Sequence, residues 1–146
     1  MYKNEMFLKI PSLSQNESLA RVVVGAFAAQ LNPTLEELVD IKTAVSEAVT
    51  NAIIHGYEDR GGEIEIRARL VGDRLEVEVK DFGKGIGNLE EAMQPFFTSK
   101  PDADRSGMGF TVMETFMDKL RVVSAPGEGT SVIMEKAIMP VEQRDE

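Results

Sequence analysis

A glutamate and an asparagine, Glu47 and Asn51, stand four residues apart in a stretch with helical periodicity. Residues at this spacing lie on one face of a helix, so the two side chains point the same way. A carboxylate there can orient a nucleophile or accept its proton, and an amide oxygen one turn later can ligate Mg²⁺, a cation that prefers oxygen donors. The pair alone is weak evidence, because Glu and Asn on a helix surface are usually only solvated.

A glycine-rich motif, Asp81-x-Gly83-x-Gly85, directly follows an alternating strand pattern. An aspartate at a strand end can hold its carboxylate towards a ligand, and the glycines let the backbone turn without a Cβ clash. The alternative is an ordinary glycine-rich turn. The Asp-Phe-Gly at its start also matches a motif of eukaryotic-type protein kinases, but the other motifs of those kinases are absent, which excludes that class.

A second glycine motif, Gly107-Met108-Gly109, precedes an apolar helical pattern. Free N–H groups and the helix dipole at such a position favour an anion such as phosphate, although a flexible helix entry would look the same. The stretch between the two motifs contains Thr98, Ser99, Lys100 and Arg105 and predicts a lid. Lys100 and Arg105 could pair with phosphates there, or they could be solvated surface cations. A fourth feature, Gly129-Thr130, is the least specific, because Gly-Thr is common where a turn meets a strand.

The first half of the chain supplies a strand and two helices to position these residues. An apolar run at 6–10 predicts the strand, and a helix is expected at 17–31. Thr34 and Glu37 have the spacing of a capping box and open the second helix. This helix carries Glu47 and Asn51, and it is expected to end near Gly56.

The second half is mainly strands. Period-two alternation at 63–70 and 75–80 predicts two antiparallel strands joined by a hairpin turn at 71–74. The remaining expected elements are an irregular region at 81–109, a helix at 110–119, and strands at 120–124 and 130–136.

This order of elements predicts an α+β fold: a two-layer α/β sandwich with a mixed, mostly antiparallel sheet and helices on one face. The length of 146 residues and the 42% hydrophobic content predict one domain over 1–146. The tail at 141–146 is expected to be frayed.

Composition excludes several classes of function. The chain has no cysteine and a single histidine, His55, so disulfides, thiolate metal sites and multi-histidine sites are not possible. A net charge of -9 disfavours nucleic acid and fits a basic protein partner, although plain solubility explains it equally well. The sequence has neither a membrane-spanning stretch nor a signal peptide pattern, so a cytoplasmic location is expected.

The order of the four features is more specific than any one of them. Together they resemble the ATP-binding boxes of the Bergerat fold, which is shared by gyrase-type ATPases, heat-shock chaperones, histidine kinases and MutL. The resemblance runs from about residue 35 to residue 133 and implies ATP or ADP with Mg²⁺ as cofactors.

Residue by residue, this resemblance implies that Glu47 is the general base, that Asn51 ligates Mg²⁺, and that Asp81 accepts a hydrogen bond from the adenine amino group. It places His55 near the phosphates, although a structural histidine at a helix end remains an alternative. The other cofactor-binding residues that it implies are Gly83, Gly85 and Ile86 at the adenine pocket and lid entry, Thr98, Ser99, Lys100 and Arg105 in the lid, Gly107, Met108 and Gly109 along the phosphates, and Thr130 at the adenine end.

Within this superfamily, a chain of this length resembles the stand-alone anti-sigma factor kinases, because the other members need further domains. The segments at 17–21, 46–57, 95–101 and 105–110 are similar to those of the anti-sigma F factors of sporulating bacteria. This resemblance implies a homodimeric protein serine/threonine kinase that inhibits sigma F and phosphorylates a serine of an anti-anti-sigma factor. Arg21 is implied as a partner contact. The alternative is a nucleotide-gated module that sequesters the sigma factor, with only incidental ATP hydrolysis.

Overall fold

The computed structural model describes residues 3–58, 60–93, 109–141 and 144. Its elements in chain order are β1 (Lys3–Pro11), α1 (Gln15–Ala28), α2 (Leu35–Asn51), β2 (Glu63–Val71), β3 (Arg74–Asp81), α3 (Leu89–Ala92), α4 (Gly109–Phe116), β4 (Lys119–Ser124) and β5 (Thr130–Ala137). A 3₁₀ turn, Ala29–Leu31, extends α1, and a π-helical turn, Ala52–Gly56, extends α2. Each predicted strand and helix is present, and the short helix α3 was not predicted.

The strands form one sheet in the order β1-β2-β3-β5-β4. All its pairings are antiparallel, so the parallel component of the predicted mixed sheet is not found among the described strands. The predicted hairpin between β2 and β3 is confirmed. Gly72 in its turn has a φ of 63°, in the left-handed region that favours glycine.

One face of the sheet packs against the helices, as the alternation predicted. The buried row of β3 consists of Leu75, Val77 and Val79, and it ends at Asp81. These side chains join one core cluster with buried residues of α1, α2 and α4. The opposite face carries charged residues and is partly or fully exposed. Asp81 therefore occupies a position in the core-facing row that apolar side chains fill elsewhere in the strand.

Helix α2 lies between α1 and α4 and contacts both. Its first turn has the predicted capping box: the Glu37 N–H donates to Thr34 Oγ1 at 3.1 Å, and the Thr34 N–H donates to Glu37 Oε1 at 2.8 Å. The tail at 141–146 was predicted to fray, and its residues 142, 143, 145 and 146 lie outside the described residues. Within it, the guanidinium of Arg144 lies 3.9 Å from Glu37 Oε1 and donates to the carbonyl of Asn32. Among the described residues, no helix is both long and apolar enough to cross a bilayer.

Candidate active site

The end of α2 carries Glu47 and Asn51 at the boundary between core and solvent. Both residues are partly exposed, whereas Ala48 and Ala52 beside them are buried. Beyond Asn51 the helix widens into the π-helical turn, which is closed by the Tyr57 N–H donating to the Ala52 carbonyl at 3.0 Å. Such turns occur frequently at functional sites. The partly exposed His55 lies within this turn.

The first residue of α4, Gly109, packs directly against Asn51. A Cβ placed on this glycine would lie 3.1 Å from both the amide oxygen and the amide nitrogen of Asn51. The N-terminus of an eight-residue helix, where free N–H groups favour an anion, is thus adjacent to the predicted Mg²⁺ ligand. The structure brings these two predicted site residues together.

The carboxylate of Asp81 is buried at the end of β3, and the residue is only 4% exposed. Burial raises the pKa of this carboxyl above its ordinary value of 3.8, although hydrogen bonds from the backbone of Gly83 and Thr130 act in the opposite direction. The Gly83 N–H donates to Asp81 Oδ1 at 2.9 Å. Among the described residues, the partners of this carboxylate are backbone N–H groups, which leaves it suited to accept a further neutral donor.

The π-helical turn approaches Asp81 through Gly56, which sequence analysis treated only as the end of a helix. A Cβ on Gly56 would lie 2.8 Å from Asp81 Cγ, and a Cβ on Gly83 would lie 2.0 Å from the Gly56 carbonyl oxygen. Only glycine fits both positions without displacing a neighbour. The Lys84 N–H donates to the same carbonyl at 2.9 Å, which joins the loop after β3 to the end of α2.

Ser124, at the end of β4, is a second residue that sequence analysis missed. Its Oγ accepts the Ile86 N–H at 2.8 Å, donates to the Gly129 carbonyl at 2.9 Å, and lies 2.7 Å from Thr130 Oγ1. Thr130 in turn pairs with Asp81 in the β3–β5 register. The hydroxyl of Ser124 therefore links two predicted cofactor residues, Ile86 and Thr130. No local pattern marks a serine at the end of an exposed strand as such a link.

Gly85 faces a different neighbour from Gly83. Its φ is 76°, and a Cβ placed on it would lie 1.9 Å from the Ala125 carbonyl oxygen. It holds the loop against the turn before β5, and the Gly127 N–H bonds to the Lys84 carbonyl at 2.6 Å in the same region. The loop after Asp81 is therefore fixed on two sides.

The proposed partner residue Arg21 lies on α1. Its guanidinium donates to Glu17 and Ser18 at 3.1 Å each, and it is 3.5 Å from the hydroxyl of Ser46. Ser46 directly precedes Glu47, so Arg21 adjoins α2 without lining the site around Asp81. Its side chain is 40% exposed and is accessible to a partner.

Six predicted cofactor residues lie outside the described residues, and their predictions stay untested: Thr98, Ser99, Lys100, Arg105, Gly107 and Met108. Within the described part of the chain, no group of three or more acidic or histidine residues could hold a metal ion.

Comparison with known proteins identifies the family to which this site belongs. The model of the histidine kinase-like ATPase domain matches residues 10–136. An anti-sigma F factor of Thermoanaerobacter sp. (strain X514) is 61% identical over 137 residues, which cover 94% of this chain and 96% of that protein. The chain belongs to the anti-sigma F factor family.

A second member of the anti-sigma F factor family, from Clostridium acetobutylicum, is 56% identical over 142 residues, covering 97% of this chain and 99% of that protein. Membership confirms the resemblance stated above. It also confirms the predicted class, an anti-sigma factor with a kinase-like ATPase domain, and it agrees with the predicted enzyme class of serine kinase. The ATPase domain further implies ATP binding.

Solved structures agree with this family at the level of the fold. A chain from Mycobacterium tuberculosis with RsbU and RsbW domains matches with a TM-score of 0.64 at 17% identity, covering 92% of this chain and 32% of that one. The catalytic domain of the histidine kinase ThkA matches with a TM-score of 0.55 at 20% identity, covering 95% of this chain and 99% of that one. These similarities confirm the α+β Bergerat fold.

Proposed function

We propose that this member of the family is a protein serine kinase that transfers the γ-phosphoryl group of Mg-ATP to a serine of an anti-anti-sigma factor, and that it binds and inhibits sigma F. One observation carries the proposal: the end of α2 contacts both glycine motifs. Asn51 packs against Gly109, and Gly56 packs against Asp81. One helix thus joins the proposed phosphate end of the site to the proposed adenine end.

At the adenine end, the buried carboxylate of Asp81 accepts a hydrogen bond from the amino group of adenine. Burial favours this interaction, because a hydrogen bond to a charged acceptor is stronger in a low-dielectric site than in water. Thr130 supports the carboxylate from the neighbouring strand, and the backbone of Gly83, Gly85 and Ile86 forms the adenine pocket and the entry to the lid.

At the phosphate end, the side-chain oxygen of Asn51 is the proposed protein ligand of Mg²⁺, and phosphate oxygens supply further ligands. Gly107, Met108 and Gly109 line the phosphates, and His55 lies close to them. The lid residues Thr98, Ser99, Lys100 and Arg105 are proposed to balance the negative charge that the transferring group carries.

Glu47 is the proposed general base. The serine oxygen of the substrate forms a bond to the γ-phosphorus while the bond between this phosphorus and the β–γ bridging oxygen breaks, and ADP leaves. The hydroxyl proton passes to the carboxylate of Glu47. Because phosphoryl transfer needs little covalent assistance, the protein acts mainly by positioning the reactants and by balancing charge.

Sigma binding is proposed to use Arg21 on α1, and the protein is proposed to act as a homodimer. The Arg21 guanidinium lies 3.5 Å from the hydroxyl of Ser46, the residue directly before Glu47. The proposed sigma-binding surface therefore adjoins the proposed general base. This contact also favours the second candidate function, a module that sequesters the sigma factor under the control of bound nucleotide.

The decisive test is transfer of radiolabelled γ-phosphate from ATP to a purified anti-anti-sigma protein. We expect label with the wild type and a loss of at least about 100-fold with Glu47→Gln, since general-base catalysis typically contributes a factor of this order or more. The matched control is Glu36→Gln, which changes an exposed glutamate in the first turn of the same helix and should leave the rate unchanged.

A substrate whose candidate serine is replaced by alanine should take up no label. ATP binding without any transfer by the wild type would contradict the kinase and favour the sequestering module. Transfer by Glu47→Gln at the wild-type rate would contradict only the role of Glu47 as the general base and would leave the kinase activity in place.

A further inference from the structure

The loop that follows Asp81 has three consecutive N–H groups, and each has its own acceptor. The Phe82 N–H donates to the Tyr57 hydroxyl at 2.7 Å, the Gly83 N–H to Asp81 Oδ1 at 2.9 Å, and the Lys84 N–H to the Gly56 carbonyl at 2.9 Å. Two of these acceptors belong to the end of the π-helical turn and the residue after it. The position of the loop is therefore set largely from α2.

The hydroxyl of Tyr57 bridges strands β2 and β3 at the point where their pairing stops. The register ends with Ile64 opposite Asp81, so Glu63 and Phe82 would form the next pair. The hydroxyl accepts from the Phe82 N–H at 2.7 Å and donates to the Glu63 carbonyl at 2.5 Å. A side chain thus connects the two backbones immediately after the buried carboxylate.

The ring of Tyr57 is held in place by Gly62. A Cβ on this glycine would lie 2.4 Å from Tyr57 Cε1, so the ring rests directly on the backbone there. Burial raises the pKa of the Tyr57 hydroxyl above its ordinary value of 10.0, and the nearby charge of Asp81 adds to this rise. The hydroxyl therefore stays protonated at neutral pH, and it can donate and accept at the same time.

We propose that Tyr57 is a positioning residue for adenine selectivity: its hydroxyl fixes the backbone directly after Asp81 and so fixes where the carboxylate meets the adenine amino group. This inference rests on the proposed function, in which Asp81 accepts a hydrogen bond from that amino group. Tyr57 acts through the loop and does not contact the nucleotide. Its contribution is specific to the adenine end, because its hydroxyl bonds to the Phe82 N–H after Asp81 and to the Glu63 carbonyl of the neighbouring strand, and not to Asn51 or Gly109.

The test compares the binding of Mg-ATP with that of the Mg complex of purine riboside triphosphate, which lacks the amino group. Calorimetric titration gives the ratio of the two dissociation constants for the wild type, Tyr57→Phe and Asp81→Asn. We expect Tyr57→Phe to weaken ATP binding about 3- to 10-fold, the range expected for one hydrogen bond, and to leave analogue binding unchanged. In kinase assays, the KM for ATP should rise with kcat retained.

A control is Thr43→Val, which removes a hydroxyl that donates to the Val39 carbonyl within α2 and should not change the ratio. A merely structural role of Tyr57 would lower the unfolding temperature and leave the selectivity ratio intact, which would overturn the proposal. If Asp81→Asn abolishes selectivity while Tyr57→Phe retains it, Tyr57 has no positioning role and the ATP assignment stands. If the wild type itself shows no selectivity, the assignment of Asp81 fails first, and the Tyr57 proposal fails with it.

A second variant tests the position of the hydroxyl without removing it. Gly62→Ala should push the Tyr57 ring away from its place, because its Cβ would lie within 2.4 Å of the ring. We expect the same loss of selectivity as in Tyr57→Phe, and no further loss when the two changes are combined. Independent, additive effects would show that Gly62 and Tyr57 do not act through one hydroxyl, which would overturn the proposed mechanism.

Discussion

Helix α2 is closed by a capping box at its first turn, whereas at its last turn it widens into a π-helical segment that leads to Asp81. At the first turn, Glu37 accepts N–H groups from Thr34 and from Met139, so the backbone around it is satisfied within the protein. At the last turn, Asn51 and Gly56 face the two glycine motifs. The first turn of α2 therefore holds the fold together, whereas its last turn lies at the proposed nucleotide site.

The two ends also hold carboxyl groups whose pKa values shift in opposite directions. Burial alone would raise the pKa of Glu37, but hydrogen bonds from Thr34 and Met139 and the charge of Arg144 bring it below its ordinary value of 4.5. For Asp81, burial outweighs the hydrogen bonds and the pKa rises. The folded protein therefore favours the charged form of Glu37 and tolerates the charged form of Asp81 at a cost in stability.

The largest effect is expected from Gly56→Ala, which adds a Cβ 2.8 Å from the Asp81 carboxylate. Either the carboxylate or the end of α2 must move, and we expect Mg-ATP binding to weaken by about 100-fold, the upper end of what a lost hydrogen bond to a charged acceptor costs. Overpacking should also lower the free energy of unfolding by about 1–3 kcal/mol. Calorimetric titration and denaturant unfolding measure the two effects.

The control for this change is Gly87→Ala, because a Cβ at Gly87 would meet no atom of the described residues within 4 Å. It should bind Mg-ATP as the wild type does. Wild-type affinity in Gly56→Ala would mean that the last turn of α2 does not shape the nucleotide site, and the contrast between the two ends would lose its basis.

A smaller effect on binding, but a distinct pH dependence, is expected for Asp81→Asn. ATP binding should weaken by about 10- to 100-fold, since hydrogen bonds to charged acceptors are worth about 1.5–3 kcal/mol. Because the folded-state pKa of Asp81 is raised, its protonated form contributes stability at low pH that is lost as the pH rises through that pKa. The variant does not titrate at this position. Its unfolding free energy relative to the wild type should therefore increase from pH 4 to pH 7.

Denaturant unfolding of both proteins at several pH values checks this slope. A relative stability that stays constant across the range would show that the Asp81 carboxylate titrates as it does in the unfolded chain. The claim that its burial opposes its charge would then be wrong.

The first turn of α2 could be predicted from the sequence, because Thr34 and Glu37 act through local hydrogen bonds at a fixed spacing. The core-facing position of Asp81 was also predictable, since it continues the alternation of Leu75, Val77 and Val79. The π-helical turn was not. Its sequence continues the helical periodicity, and Gly56 is fixed by Gly83, a partner that is distant in the chain.

The hydrogen bonds that side-chain hydroxyls make at the site could not be predicted from local sequence patterns, for the same reason. Tyr57 and Ser124 bond to backbone groups of the loop after β3, which is distant from both in the chain, so their roles appear only once the sheet is assembled. The antiparallel pairing of every described strand likewise depends on tertiary packing, because alternation predicts strands without fixing the direction of their neighbours. The sequence motifs predicted the family, whereas the residues that hold the site in place could be recognised only in the structure.

The smallest effect is expected at the first turn, from Glu37→Gln. The change weakens the cap and the contacts to Met139 and Arg144, and we expect a loss of about 1 kcal/mol in unfolding free energy at pH 7, typical of a helix cap. Because the folded-state pKa of Glu37 is lowered, its stabilisation is present above the unfolded pKa and is lost as the pH falls through the folded value. The difference between wild type and variant should therefore shrink on acidification, opposite to the contribution of Asp81.

Mg-ATP affinity should stay within about twofold of the wild type in Glu37→Gln, because the cap is separated from Asn51 by the length of the helix. Arg144→Ala should give part of the same loss in stability, because it removes one of the groups that hold Glu37 in place, a partly buried guanidinium 3.9 Å from its carboxylate. A clear loss of nucleotide affinity in Glu37→Gln would show that the two ends of α2 are coupled. The helix would then transmit strain from its cap to the site instead of isolating one from the other.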